Sequence, residues 1–214
     1  MKDKLLAHIG SLTGGVVHNL NTPLMWVMGR AQLIQARNER LAEHQGLLPE
    51  ELEKIREKND KDLRSILEGA DKIDSILKTL GYKAQMISEG YTSIELKEYL
   101  EMENNYLMGD MRFKHETKRE FQLNSRSVYV KVDYTALSAA VTGVIDTILS
   151  STEKGRSLKI SLDSGVIRIA CPEMHLDSER RRRIESICEG ISTTADIFMN
   201  DAQGFEISIG IRDT

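Results

Sequence analysis

The stretch LLAHIGSLTGGVVHNLNTPLMWV, residues 5–27, decides the reading of the fold. Leu5, Ile9, Leu12, Val16, Leu20, Pro23 and Val27 recur at spacings of three and four, which draws one apolar stripe along an α-helix. The stripe fades through Leu33, Ile34 and Leu41, and Gly46 suits the cap that ends such a helix. Pro49 followed by Glu50 and Glu51 fits the first turn of a second helix, where proline lacks no needed donor and acids meet the positive end. This second helix carries Leu52, Ile55, Leu63, Ile66, Leu67, Ala70, Ile73, Leu77 and Leu80. The short connection makes the two helices antiparallel neighbours, each roughly 45–60 Å long at ~1.5 Å per residue. A lone hairpin cannot bury both stripes. A second copy of the chain is the simplest source of the missing pair, which predicts a homodimer with a four-helix bundle.

Composition narrows the function. The chain has 214 residues, 40% of them hydrophobic, 29% charged and 5% aromatic, with three prolines. These values suit one large domain or two small ones and exclude collagen-like or proline-rich disorder. A net charge of −4 argues against a nucleic-acid-binding protein. Two cysteines make no disulfide framework, and His8, His44, His115 and His175 have no metal-ligand spacing with Cys or acids. No signal peptide is expected, because Leu5–Leu12 is broken by His8, Gly10 and Ser11. The apolar run Ala136–Leu149 is too short to span a bilayer and contains Asp146. The expectation is a soluble, cytoplasmic chain with no membrane insertion.

A change of texture divides the chain into a helical part, residues 1–85, and a mixed part, residues 91–214, with the joint at 84–90. In the mixed part Ile94–Asn105 predicts a helix, His115–Leu123 and Ser127–Val132 strands, and Asp133–Ser151 a helix. Ser157–Leu162 and Gly165–Ala170 predict a strand pair joined by the turn signal Asp163-Ser164-Gly165. Ser178–Glu189 reads as a charged helix and Phe205–Ile211 as a last strand. Strands on one side and helices on the other make an α+β sandwich.

His18 lies two residues from both Val16 and Leu20, about 200° around the helix from each, so it points away from the stripe. It shares that face with Ser11, Gly14, Gly15, Thr22 and Met25. Each glycine costs ~1 kcal/mol in helix propensity, and the benefit expected is a flat, open surface for another domain to approach the imidazole. Position alone fits a solvated histidine as well as a reactive one.

The run His18-Asn19-Leu20-Asn21-Thr22-Pro23-Leu24, preceded by Gly14-Gly15-Val16-Val17, resembles the phosphoacceptor box of bacterial sensor histidine kinases. The resemblance implies that His18 is a phosphoacceptor on the bundle and that the second part is a histidine-kinase ATPase-like sandwich. Many active relatives carry Glu or Asp where Asn19 stands; Asn can orient the ring by a hydrogen bond but cannot take its proton. Thr22 matches the position that in relatives orients water for dephosphorylating an aspartyl phosphate; an ordinary helix threonine, bonded back to a carbonyl, fits it nearly as well.

Phe113-Lys114-His115-Glu116, Val128–Val132 and Asp133-Tyr134-Thr135-Ala136-Leu137 are similar to the entry of that family's ATP-binding domain. The resemblance places the two magnesium-binding asparagines at Gly143 and Thr147, and neither is Asn. Asp146 is adjacent but points ~100° away, as a surface charge. Where the family has its adenine-reading Asp-x-Gly-x-Gly, this chain has Cys171-Pro172-Glu173-Met174-His175. Gln203-Gly204-Phe205-Glu206 stands for the later glycine loop, although phosphate loops need glycine for close backbone approach.

These readings predict a histidine phosphotransfer protein of two-component signalling. His18 would exchange a phosphoryl group with the aspartate of a response-regulator receiver domain, with no cofactor expected. Alternatives are an ATP- and Mg-dependent histidine kinase with divergent boxes, served by a separate sensor or kinase protein, and a non-enzymatic dimerising scaffold. Arg180–Arg183 reads as a solvated basic face beside Asp177, Glu179 and Glu185, with an acidic receiver surface as a secondary partner. Trp26 and the methionines of the first helix line the bundle or its partner-facing surface.

Overall fold

The structure, a computed structural model, describes residues 2–43, 48–123, 126–151 and 154–212, with side chains from Gly14 onward. Helix α1 is Lys2–Glu43 and continues through Pro23; α2 is Pro49–Glu89 and opens on Pro49 with Glu50 and Glu51 in its first turn. The expected cap at Gly46 lies outside the described residues. By contacts, Val16–Lys78 forms one compact unit and the remainder of the chain another.

In the hairpin unit the predicted stripe is the contact face. Pro23 is buried and Val16, Leu20 and Val27 are half-buried, as are Ile66 and Ile73 of α2, with Gly69 buried between those two. Gly69 is the point of closest approach: a Cβ there would stand 2.7 Å from Val27 Cγ2 and 3.3 Å from the Pro23 carbonyl oxygen. Further along, Asp62 is buried and takes a guanidinium from each of two successive heptads of α1. Arg30 Nη1 lies 2.8 Å from its Oδ1 and Arg37 Nη2 2.5 Å from its Oδ2. Arg37 also donates to Asn59 Oδ1 at 2.8 Å, so every buried charge in the seam has a hydrogen-bonded partner.

The second unit is an α+β sandwich. Its order is β1 (Tyr91–Glu95), α3 (Leu96–Leu107), α4 (Met111–His115), β2 (Thr117–Leu123), β3 (Tyr129–Asp133), α5 (Tyr134–Ser151), β4 (Arg156–Asp163), β5 (Val166–Cys171), α6 (Ser178–Cys188), β6 (Ala195–Asn200) and β7 (Phe205–Ile211). Strands β1 and β3 form a two-stranded antiparallel ribbon. The main sheet runs β2-β4-β5-β7-β6, parallel at β2–β4 and antiparallel elsewhere. Its inward side chains, among them Leu158, Ile160, Ile167, Ile169, Ile207 and Ile209, pack with Leu137, Val141, Val144 and Ile148 of α5. The β4–β5 hairpin turns on Ser164 and Gly165 at φ 50° and 81°, as a tight hairpin turn requires.

Three elements differ from the sequence reading. Strand β1 was not expected, since 84–90 looked like a joint; that stretch is the end of α2 and the Gly90 that follows, at φ 71°. Strand β6 was also unexpected. Its run Ala-Asp-Ile-Phe-Met-Asn carries apolar groups on both faces, so no alternation marks it. The strand expected from His115 is β2, which starts at Thr117; His115 closes the unexpected short helix α4, capped by Asp110, whose carboxylate accepts from the Arg112 and Phe113 amides.

Candidate functional site

His18 sits mid-helix on α1 and is exposed, as are Thr22 and Met25 one and two turns on, while Asn19 and Leu20 are half-buried. Thr22 Oγ1 donates to the His18 carbonyl oxygen at 3.0 Å. That is the back-bonded arrangement of a helix threonine, and it leaves both hydroxyl lone pairs able to accept from water. Trp26, on the adjacent flank and exposed, has the Lys72 ammonium of α2 5.2 Å from its ring centre.

The glycines before the histidine differ from the expectation of an open surface. Gly14 has open space around it, but Gly15 belongs to the α+β unit and lies against the turn between α3 and α4. A Cβ on Gly15 would stand 1.8 Å from the Gly109 carbonyl oxygen, so only glycine fits there. The benefit that offsets its helix cost is backbone contact, not exposure.

In α5, Gly143 faces α6: its Cβ would stand 2.9 Å from Ile187 Cγ2. Thr147 is buried, with its hydroxyl donated to the Gly143 carbonyl at 2.8 Å. Asp146 is not a free surface charge, because Arg112 Nη2 lies 3.0 Å from one oxygen and Arg183 Nη2 2.9 Å from the other. Arg183 stays exposed while it pairs with Asp146, and Arg180 pairs with Asp177 at 3.2 Å. At the end of β5, Cys171 and Met174 are buried, and Glu173 turns back to the Ser157 amide at 3.2 Å. Gly204, at φ 100°, passes the Pro172 backbone so closely that a Cβ would meet its carbonyl oxygen at 2.3 Å. Its glycine serves that crossing. His115 and His175 are exposed, and no cluster of three or more metal-ligating side chains occurs among the described residues.

A buried polar network was missed. Lys83, near the end of α2, donates to both Glu103 oxygens at 2.6 and 2.7 Å and to Ser138 Oγ at 3.2 Å. The Tyr134 and Ser138 hydroxyls each donate to Glu103 Oε1 at 2.9 Å, and the Lys83 ammonium lies 4.4 Å from the Tyr106 ring centre. Burial, then the Glu103 charge, pushes the Tyr134 hydroxyl far above its usual range, which keeps it a donor. The same two causes push Tyr106 up to about 12. The signal was present: Glu103 falls within the apolar stripe of Tyr99, Leu100, Tyr106 and Leu107, where a lone acid needs a partner.

No family model and no curated protein matches the sequence. Among solved structures, the chain is similar to the cytoplasmic segment of histidine kinase QseC at 14% identity and TM-score 0.46, covering 58% of this chain and 79% of that one. It is also similar to the Acinetobacter baumannii histidine kinase AdeS at 16% identity and TM-score 0.42, covering 92% and 98%. Histidine kinase ThkA, in complex with response regulator protein TrrA, gives 17% identity and TM-score 0.44, covering 98% and 63%. Among the described residues no helix is long and apolar enough to cross a membrane.

Proposed function

We propose that this chain is a histidine phosphotransfer protein that exchanges a phosphoryl group between His18 and the aspartate of a response-regulator receiver domain. The observation that carries the reading is the exposed His18, outward on a long two-helix hairpin within a phosphoacceptor-like sequence. The unprotonated ring nitrogen of neutral His18 forms the P–N bond as the P–O bond to the receiver carboxylate breaks. The electron pair leaves on the carboxylate, and the ring sheds its remaining proton to water. An acyl phosphate is already an activated donor, so Asn19 suffices to orient the ring, and no carboxylate base is needed there. Thr22, one turn on, can hold a water for the competing hydrolysis of the receiver's phosphate.

The alternative of an ATP-dependent kinase fits less well. Of the two positions that would supply magnesium ligands, Gly143 has no side chain, and Thr147 is buried inside the unit. The neighbouring carboxylate, Asp146, is held by two guanidiniums. Such a set does not fit a hard cation that wants several free oxygens.

Two copies would join through the hairpins. Leu63, Leu67 and Leu77 of α2 and Leu24 and Met28 of α1 are all exposed, an apolar surface too large for a lone helix pair. A groove between the helices, lined by Ala31, Ile34, Ala42, Leu63 and Ile66 together with Gln35, Asn38 and Glu39, includes one of these leucines.

The test is incubation with a phosphorylated receiver domain. Acid-labile, base-stable phosphate should appear on the wild type and vanish in His18→Gln with the oligomeric state unchanged. Thr22→Ala should keep the labelling and slow the receiver's loss of phosphate. Phosphate uptake by His18→Gln would refute the site, and labelling by ATP alone would favour the kinase. An unlabelled wild type that still binds the receiver would favour the scaffold.

A further inference from the structure

The main sheet ends in two very different edges. Strand β2 presents the exposed charges of Lys118, Arg119 and Glu120, the usual guard against pairing with another chain. Among the described residues strand β6 pairs with β7 alone, and it carries no lysine, no proline and no bulge. Its single charge, Asp196, is paired with Arg212 at 2.6 Å on the surface, and at its centre Phe198 is 71% exposed. An unguarded edge with a bare aromatic at its midpoint is built for a partner strand.

The ladder tells which backbone groups that edge offers. Just before β6, the Arg212 amide donates to the Thr194 carbonyl directly opposite it, at 2.9 Å. Antiparallel pairs alternate between bonded and non-bonded, so Asp196, Phe198 and Asn200 bond toward β7. The amides and carbonyls of Ala195, Ile197 and Met199 therefore face outward.

We propose that β6 is a homotypic docking edge, through which the α+β units of two copies pair antiparallel about a two-fold axis at Phe198. In that register Ile197 and Met199 of each copy exchange backbone hydrogen bonds with Met199 and Ile197 of the other. Phe198 meets its own mate at a non-bonded position, where cross-strand side chains approach most closely. Asp196 falls opposite Asn200, so no like charges meet. Centring the axis on Ile197 instead would set Asp196 against Phe198. Charge and apolar matching thus select a second copy of this chain and one register. The inference does not depend on phosphotransfer.

The full chain tests it. Sedimentation from 1 to 100 μM, on the order of the range where weak homotypic pairs form, should show the wild type heavier than Phe198→Lys: a dimer against a monomer if the hairpins stay unpaired, and assemblies larger than the hairpin dimer if they pair. Phe198 is exposed on the outer face, so the lysine leaves the β6–β7 ladder intact. Phe198→Cys should form a disulfide to its symmetry mate under mild oxidant, and faster than the exposed turn variant Ser164→Cys. Both native cysteines are buried and stay silent. Equal masses for wild type and Phe198→Lys, or cross-linking of Phe198→Cys no faster than Ser164→Cys, would overturn the proposal. So would loss of receiver binding in Phe198→Lys with the mass unchanged, because the edge would then serve a different chain.

Discussion

Ile187 of α6 lies directly over the bare Cα of Gly143 in α5, with room for no more than a strained Cβ between them. The α5–α6 seam is therefore specified by a glycine. Gly143→Asn should destabilise the α+β unit by about 1–3 kcal/mol, the usual cost of overpacking. Denaturant titration measures it. Pairing Gly143→Asn with Ile187→Ala should recover part of that loss, whereas additive costs would show that the two residues are not in contact.

The Lys83–Glu103 pair makes a second stability prediction. Lys83→Met keeps much of the stem but leaves Glu103 buried without its cation, which should cost about 3–5 kcal/mol at neutral pH. Lys83→Met combined with Glu103→Leu removes both charges and should regain most of it. Urea midpoints of the two variants and the wild type decide the matter; a double variant no better than the single one would show that the network acts through something other than charge.

Acid should loosen the hairpin through Asp62. The hydrogen bond from Arg37, assisted by that from Arg30 and by both positive charges, outweighs burial and holds the Asp62 carboxyl below its ordinary value. A folded pKa below the unfolded value of about 3.9 means the unfolded chain binds the proton more readily. The stabilisation is thus fully present above pH ~4 and is lost as pH falls through the lower, folded pKa. Asp62→Asn should flatten that acid limb in thermal melts between about pH 2 and 5 and lower the melting temperature at pH 7.

The adjacent glycines of α1 should respond oppositely to alanine. Gly14→Ala meets open space and should stabilise by up to about 1 kcal/mol through helix propensity. Gly15→Ala drives a methyl into the Gly109 carbonyl and should destabilise, or raise amide exchange in the 108–110 turn. Equal effects at the two positions would remove the contact from the account.

The hairpin, β4, β5, β7 and the amphipathic helices were legible in the chain because each repeats its pattern over several turns or alternations. Proline at the start of α2 and the Ser164-Gly165 turn marked their ends by backbone preference alone. His18 was placed outward by counting residues from Val16 and Leu20, since a helix assigns faces locally. Strands β1 and β6 escaped because one is five residues long and runs straight into α3, and the other carries apolar groups on both faces. The partners of Asp62, Lys83, Glu103 and Asp146 escaped for a different reason. Local periodicity tells which way a side chain faces, but the group lying across from it comes from another element, tens of residues away. Only packing brought Arg37 to Asp62, Lys83 to Glu103 and Arg183 to Asp146, and only packing showed that Gly15 and Gly143 are glycines because a neighbour already fills the space of a side chain.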